Sequence, residues 1–415
     1  MYTIPENTKI TPKLAVKFIR KHDAEKYRLD RLYSYYCGEH DILSRSRGEN
    51  AANNRLVCNH AKYITDCTTG YFLGSPVKYT SRSGKDISLI KDTLKRCDSD
   101  TEDIDLARFG SIYGTSYEML YLTGKGEIRL SSLDPRNAFV VYDDTVEQNP
   151  MFGVYYLPLN SEDGFRTGYR VYLCDRDTVT EFITSPSFSI TKKNDSYEHF
   201  FGDVPIIEYY NNWDRQGDFE QVTSLIDAYN TLQSDRVNDK EQFVDSLLVI
   251  KGQILGDTPE EESSTYNAIR KFGIMTIDDT GDAKWLTRQF DESSVDILRR
   301  SIESDIHKFS GVPCLSDENF AGNSSGVAMK YKLIAFEQMI KIKERYFTEG
   351  LRIRLSLIAN ALSVLGYSRP DVGDIGISFT YELPENESEI ARTVNLLKGI
   401  VPDEKLVKLL PYDLE

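Results

Sequence analysis

Apolar residues recur at helical intervals through the first quarter of the chain, switch to alternation near residue 118, and return to helical spacing near residue 220. Residues 10–36 place Val16, Phe18 and Ile19 ahead of charged, tyrosine-rich turns and read as one helix, broken at Gly38. The stretch beginning NNRLVCNHAKYITDC at Asn53 reads as a second helix ending near Gly70, where Gly74 and Pro76 forbid continuation. A strand begins at PVKYTS, and 86–97 and 100–120 read as helices. From about 118 to 212, segments such as EIRLSSL, NAFVVYD, FGVYYLPL, GYRVYLCD and TVTEFITS alternate between Gly, Asp or Pro turns. They predict one antiparallel sheet and, with the helices before it, a mixed domain in an α+β fold.

Gln221 to Leu247 contains neither Gly nor Pro and predicts a helix about 40 Å long at 1.5 Å per residue. Its apolar stripe (Val222, Leu225, Ile226, Tyr229, Leu232) fades through QSDRVNDKEQ and resumes at Phe243. A helix polar all round in its middle must face water or polar neighbours. Between residues 218 and 247 seven acidic residues stand against two basic ones, so the segment is acidic. A small αβ insert follows, then a helix over 291–310 with Val295, Leu298, Ile302, Ile306 and Phe309 on one face. Gly311 and Pro313 stop that helix. A very long helix, 327–365, is expected to kink at Gly350. The strand in DIGISFTYELP must pair back with the earlier sheet, because a lone strand cannot satisfy its backbone. Short helical segments close the chain over 385–410.

Charge changes this picture. With 50 basic and 65 acidic residues the chain carries −15, which argues against a surface that grips nucleic acid by neutralising phosphates. The six cysteines include no CxxC pair; Cys58, His60 and Cys67 come nearest to a metal set, and their spacing fits no zinc pattern. The N-terminus lacks the apolar core of a signal peptide, and no run approaches the roughly 18 apolar residues of a membrane span. Synthesis in a reducing cytoplasm, with no membrane partner, is the expectation.

Catalytic chemistry finds little purchase. LSDENFAGNSSGVAMKYK, Leu315 to Lys332, has the small residues of a phosphate-gripping loop. A P-loop, however, needs a Lys after its last Gly and a buried strand before it. Here Val327 and Ala328 follow Gly326, a helix precedes, and Asp317 and Glu318 would repel phosphate. The five histidines form no HExxH, and acidic pairs such as Asp143–Asp144 read as solvated turns. Two helices flanking a small insert instead suggest a stalk. Stalks with polar, acidic stretches suit a ring, where neighbouring copies surround a watery channel.

Three blocks carry a resemblance: NNRLVCNHAKYITDCTTGYFLGSPVKY, VPIIEYYNNWDRQGDFEQVTSLIDAYNTLQSDRVNDKEQFVDSLLVIKG and VPCLSDENFAGNSSGVAMKYKLIAFEQ. In this order, and over roughly residues 30 to 380, the chain resembles the portal proteins of tailed double-stranded DNA bacteriophages. The similarity is greatest to the branch of long-tailed phages of Gram-positive bacteria. The resemblance implies a dodecameric ring at one capsid vertex, made in the host cytoplasm and built into the virion. It implies a non-enzymatic conduit without cofactor or metal, through which DNA is packaged, retained and ejected.

The resemblance also implies a parts list. Residues 1–220, with the strand near 375–384, match a mixed α/β wing. Helices 221–247 and 291–311 match the stem, 248–290 the clip, 312–326 a tunnel loop, 327–384 the long helix and returning strand, and 385–415 the start of a short or truncated helical crown. The DNA-facing loop residues would be Asp317, Asn319, Phe320, Gly322, Asn323, Ser324 and Ser325, with Ser324 or Ser325 capping the next helix. Asp235, Arg236, Asp239, Lys240, Glu241 and Lys308 form the stem's polar face. Its cations make either transient phosphate contacts or salt bridges between subunits. Lys251, Arg270, Lys271 and Trp285 are the clip candidates for docking the large terminase subunit and the head-completion or adaptor proteins. Capsid and scaffolding proteins would meet the wing, and contact with duplex DNA would be weak and sequence-independent. A different ring-forming tail adaptor, or a phosphate-handling enzyme, are the competing readings.

Overall fold

A computed structural model describes residues 1–48, 52–244, 247–251, 282–286, 292–315 and 326–381, together with 258–261, 263, 264, 267, 395–398 and 402. Residues 1–39, 59–226 and 304–415 group into one compact unit, and 40–58 with 227–303 into a second.

In the first unit, strand β1 (Tyr2–Ile4) leads to helix α1 (Pro12–Cys37). Thr11 caps this helix, its Oγ1 accepting from the Leu14 N–H, and Pro12 presets the first turn. It ends at Gly38, whose φ of +87° is a left-handed conformation that glycine adopts without a Cβ penalty. Helices α2 (His60–Leu73), α3 (Ser88–Arg96) and α4 (Ser99–Tyr113) follow, with strand β2 (Lys78–Ser81) after α2. Then come β3 (Thr115–Leu122), β4 (Ile128–Leu133), β5 (Ala138–Asp143), β6 (Pro150–Asn160), β7 (Arg166–Cys174), β8 (Thr178–Thr184), β9 (Ile190–Lys193), β10 (Tyr197–Glu198) and β11 (Ile206–Tyr210).

The alternating region forms two sheets rather than the one expected. A seven-stranded sheet runs β1-β5-β6-β7-β8-β10, with β9 also on β8; β1 joins β5 in parallel and the other pairs are antiparallel. Strands β11-β3-β4 form a separate antiparallel sheet. Alternation marks a residue as strand but carries no information about its partner. The main core lies between α1 and the large sheet: Phe18 and Ile19 meet Phe139, Phe152, Val154, Val171 and Phe182, all buried.

Other boundaries moved for local reasons. Residues 53–59 are not helical; α2 starts where Asn59 caps it, with Oδ1 accepting from the Lys62 N–H. Helix α4 stops at Tyr113 because Gly114 turns left-handed, so the chain enters β3 rather than continuing to 120. The late strand β14 (Ile375–Ser378) pairs with β2, not with either large sheet.

Helix α5 (Thr223–Val244) is followed by the antiparallel pair β12 (Leu247–Lys251) and β13 (Asp282–Leu286), then by α6 (Glu292–Ser310) and α7 (Gly326–Val364). In α7 the buried positions 333, 336, 340, 343, 347, 351, 354 and 358 step by three and four, a continuous inward stripe. The helix runs on through Gly350, where an added Cβ would collide with the Tyr209 ring. The glycine therefore permits close approach of α7 to β11.

Candidate functional site

The polar middle of α5 is answered within its own chain. Asn230, Ser234 and Asn238 lie at four-residue steps along one edge of the helix and are fully buried. Each accepts a backbone N–H from the extended segment 52–58: Asn230 Oδ1 from Cys58 at 2.8 Å, Ser234 Oγ from Leu56 at 2.9 Å, and Asn238 Oδ1 from Asn54 at 2.6 Å. Four helical residues rise about 6 Å and two extended residues about 6.6 Å, so the two repeats stay in step for three rungs. Ser234 Oγ donates its own proton to the Asn230 carbonyl, and Asn230 Nδ2 faces His40 Nδ1 at 2.8 Å. Asp235, on the same helix, takes Arg45 at 2.6 Å and also Arg47. Ser234→Ala should remove one rung at about 1 kcal/mol. Amide hydrogen exchange should then accelerate at Leu56 and stay unchanged at Arg55; unaltered protection of Leu56 would count against the ladder.

The two helices are joined by ion pairs inside one chain. Glu292, at the start of α6, accepts from Arg236 at 2.9 Å and Lys240 at 3.1 Å. These two hydrogen bonds hold its carboxyl below the usual range. Arg299 reaches Asp296 at 3.0 Å and Glu303 at 2.7 Å, and Arg300 reaches Asp296 at 2.8 Å. Hydrogen bonds to Tyr229 and Asp296 raise the Arg299 pKa, and its own bond lowers that of Asp296. Among the described residues, Asp239 and Asp305 carry no ion pair. Over α5 and α6 there are eight acidic residues (Asp227, Asp235, Asp239, Glu241, Glu292, Asp296, Glu303, Asp305) and five basic ones (Arg236, Lys240, Arg299, Arg300, Lys308), so the pair carries 5 − 8 = −3.

In the sheet-bearing unit, the segment after α6 is fixed before it reaches residue 316. The Tyr63 hydroxyl donates to the Pro313 carbonyl at 3.0 Å and accepts from the Leu315 N–H at 2.8 Å. His307 Nδ1 donates to the Val312 carbonyl at 2.9 Å, and Gly311 makes the left-handed turn.

Helix α7 is tied to the same unit by two buried cations on its inward stripe. Lys343 Nζ donates to Asn211 Oδ1 at 2.8 Å and Asp218 Oδ1 at 2.6 Å; Ser111 Oγ also donates to Asp218. Burial pulls the Lys343 pKa down, and the Asp218 charge opposes that pull. Arg354, with none of its side chain exposed, sits 2.6 Å from Asp103 and 2.7 Å from Glu118, whose other oxygen accepts from Tyr209 at 2.8 Å. Burial pushes Asp103 up to about 6 even with the guanidinium beside it. A cavity beside Lys343, lined in part by Thr68, Thr69 and Asn211, holds about 20 Å³. That is room for one water and not for a substrate.

Of the stem candidates, Asp235, Arg236 and Lys240 are thus engaged within the chain. Glu241 accepts from Asn54 Nδ2 at 2.8 Å, Asp239 is half-buried, and Lys308 is exposed with its Nζ 5.4 Å from the Phe309 ring centroid. Lys251 and Trp285 belong to the β12–β13 ladder, opposite Asp282 and Leu248. Arg270 and Lys271 lie outside the described residues, as do Asp317, Asn319, Phe320, Gly322, Asn323, Ser324 and Ser325. Gly322–Gly326 spells G-x-S-x-G, but a nucleophile elbow needs a strand ahead of its turn. The motif and the residues just before it, 316–325, lie outside the described residues, and helix α6 is the last regular element described ahead of them. Sequence reasoning missed Lys343 and Arg354, although two cations in phase with an apolar stripe were a readable signal.

The family model described as phage portal protein, SPP1 Gp6-like, matches residues 16–413. The portal protein of Bacillus phage SPP1 is 24% identical over 426 aligned residues, covering 95% of this chain and 82% of that protein. The portal protein of Clostridium phage phiCD119 is 22% identical over 410 residues, covering 91% and 88%. Among solved structures, the neck of an empty GTA particle is similar with a TM-score of 0.46 and 13% identity, covering 85% of this chain and 90% of that one.

Proposed function

The chain belongs to the SPP1 Gp6-like phage portal protein family, and we propose that its copies close into a ring of twelve whose bore passes duplex DNA. Portal proteins are structural, non-enzymatic components of the virion. No helix among the described residues is long and apolar enough to cross a membrane.

The observation that carries the conduit reading is the electrostatic state of α5 and α6. They are net negative, and four of their five cations are already held by carboxylates of the same chain. Duplex DNA carries one charge per roughly 1.7 Å of axis, so free cations would bind it and stall its passage. A wall with tied cations leaves it sliding in water. Leu298 and Phe309, 50% and 58% exposed on the apolar face of α6, support packing of that face against a neighbouring copy.

In this reading residues 1–220 and 375–384 are the wing, meeting capsid and scaffolding proteins. Residues 221–247 and 291–311 are the stem, 312–326 the loop at the narrowest part of the bore, and 385–415 the start of a crown. Residues 248–290, with Lys251, Arg270, Lys271 and Trp285, are the clip that docks the large terminase subunit and later the head-completion proteins. Asp239→Lys with Asp305→Lys tests the electrostatic claim, moving the helices from −3 to −3 + 4 = +1 per copy. Rings should assemble as before, while nuclease-protected DNA per particle falls, most strongly at low salt. Normal packaging by rings of this variant would contradict the reading.

A further inference from the structure

The thirteen residues Lys9 to Lys21 hold five cations and no carboxylate, in a chain whose remainder therefore carries −15 − 5 = −20. Lys9, Lys13, Lys17, Arg20 and Lys21 are all exposed. On α1, Lys13, Lys17, Arg20 and Lys21 fall within one sector, because steps of three and four residues return to the same face. The opposite sector, with Ala15, Val16, Phe18 and Ile19, is sealed into the core. Among the described residues none of the five forms an ion pair. Arg20 donates to the Ser187 carbonyl at 3.4 Å and Lys21 stands 5.1 Å from the Phe18 ring centroid, contacts that leave both charges uncompensated. Like charges four residues apart oppose helix formation, a cost that no ion pair among the described residues offsets.

We propose that this face of α1 is a second contact for duplex DNA, sequence-independent, made to the phosphate backbone and separate from the stem helices. The surface chemistry favours phosphate over an acidic protein segment. Protein interfaces centre on apolar residues from which water is excluded, and no apolar residue between Lys9 and Lys21 is exposed. On α1, Lys13, Lys17 and Lys21 offer point charges about 6 Å apart along the helix axis, suited to a regular line of anions. Tyr27, 78% exposed in the same sector two turns on, adds a hydroxyl able to donate to a phosphate oxygen. The inference rests on the portal reading only in taking DNA as the polymer at hand.

Its test uses the full chain and a relaxed, covalently closed DNA circle, which offers no end to thread through a ring. A negative result therefore leaves the conduit standing, and a failed conduit leaves this contact standing. Wild-type protein should bind the circle at low salt. The logarithm of affinity should fall against the logarithm of salt with a slope of about −4, near −0.9 for each phosphate contacted. Lys13→Glu, Lys17→Glu and Lys21→Glu together should weaken binding about a hundredfold with ring mass unchanged. The matching Lys→Gln triple variant should lose less and melt with the wild type, separating charge from folding. Wild-type affinity in the Glu variant, or no binding by the wild type, would overturn the proposal. Polyglutamate bound in preference to the circle, and lost in the Glu variant, would overturn it in favour of an acidic protein partner.

Discussion

Replacing Arg354 with Met should destabilise the sheet-bearing unit by roughly 3–5 kcal/mol, because it leaves two buried carboxylates without their cation. Asp103 and Glu118 are almost wholly enclosed and converge on the one guanidinium. Methionine keeps the stem of the side chain and removes only the charge and its donors. Neutralising the partners as well, with Asp103→Asn and Glu118→Gln, should restore much of the loss. The pH dependence has a definite sign. In the variant Asp103 loses the guanidinium that opposed the effect of its burial, so its folded pKa stays above its unfolded one and the folded state holds a proton that the unfolded state releases. The deficit should be largest at high pH and shrink as pH falls through that raised value. In the wild type Asp103 already stands at about 6. Any gain it brings is present at acid pH and is lost as pH rises through that point. Thermal melts across pH check both statements; a variant that melts with the wild type at every pH would show that the triad does not anchor α7.

The second large effect falls on DNA rather than stability. Deleting Asn319 to Asn323 should leave rings of normal mass and reduce nuclease-protected DNA to the level of particles without a portal. The flanks of the loop are fixed independently of it. Tyr63 clamps Pro313 and Leu315, His307 holds Val312, and α7 starts at Gly326. Shortening between those points acts on the loop itself. Loss of ring assembly on deletion would make the segment structural instead.

The long elements were legible because each carries its own period. The stripe of α7, the run without Gly or Pro in α5, and the alternation of β4 to β8 are local properties of sequence. What sequence could not supply was partnership. The middle of α5 reads as facing water or polar neighbours, and for Asn230, Ser234 and Asn238 the neighbours are a segment some 180 residues earlier, against which they are buried. Their four-residue spacing was visible; that Asn54, Leu56 and Cys58 would present N–H groups in step with it was not. Residues 53–59 looked helical for want of that partner, although Asn59 was a ready cap. Arg236 and Lys240 read as making either transient phosphate contacts or bridges between subunits, and Glu292 of the same chain holds both. On α6, Ile306 is buried as its spacing implied, while Leu298 and Phe309 on the same face stay exposed. In the proposed ring a neighbouring copy would cover that face.

Native mass measurement of the purified protein, combined with electron microscopy of the same sample, tests the ring most directly. Twelve chains of 47.5 kDa should give a particle of about 570 kDa with cyclic symmetry and an open centre wide enough for duplex DNA. A protein that stays at 47.5 kDa at every concentration, or a ring closed at its centre, would contradict the conduit.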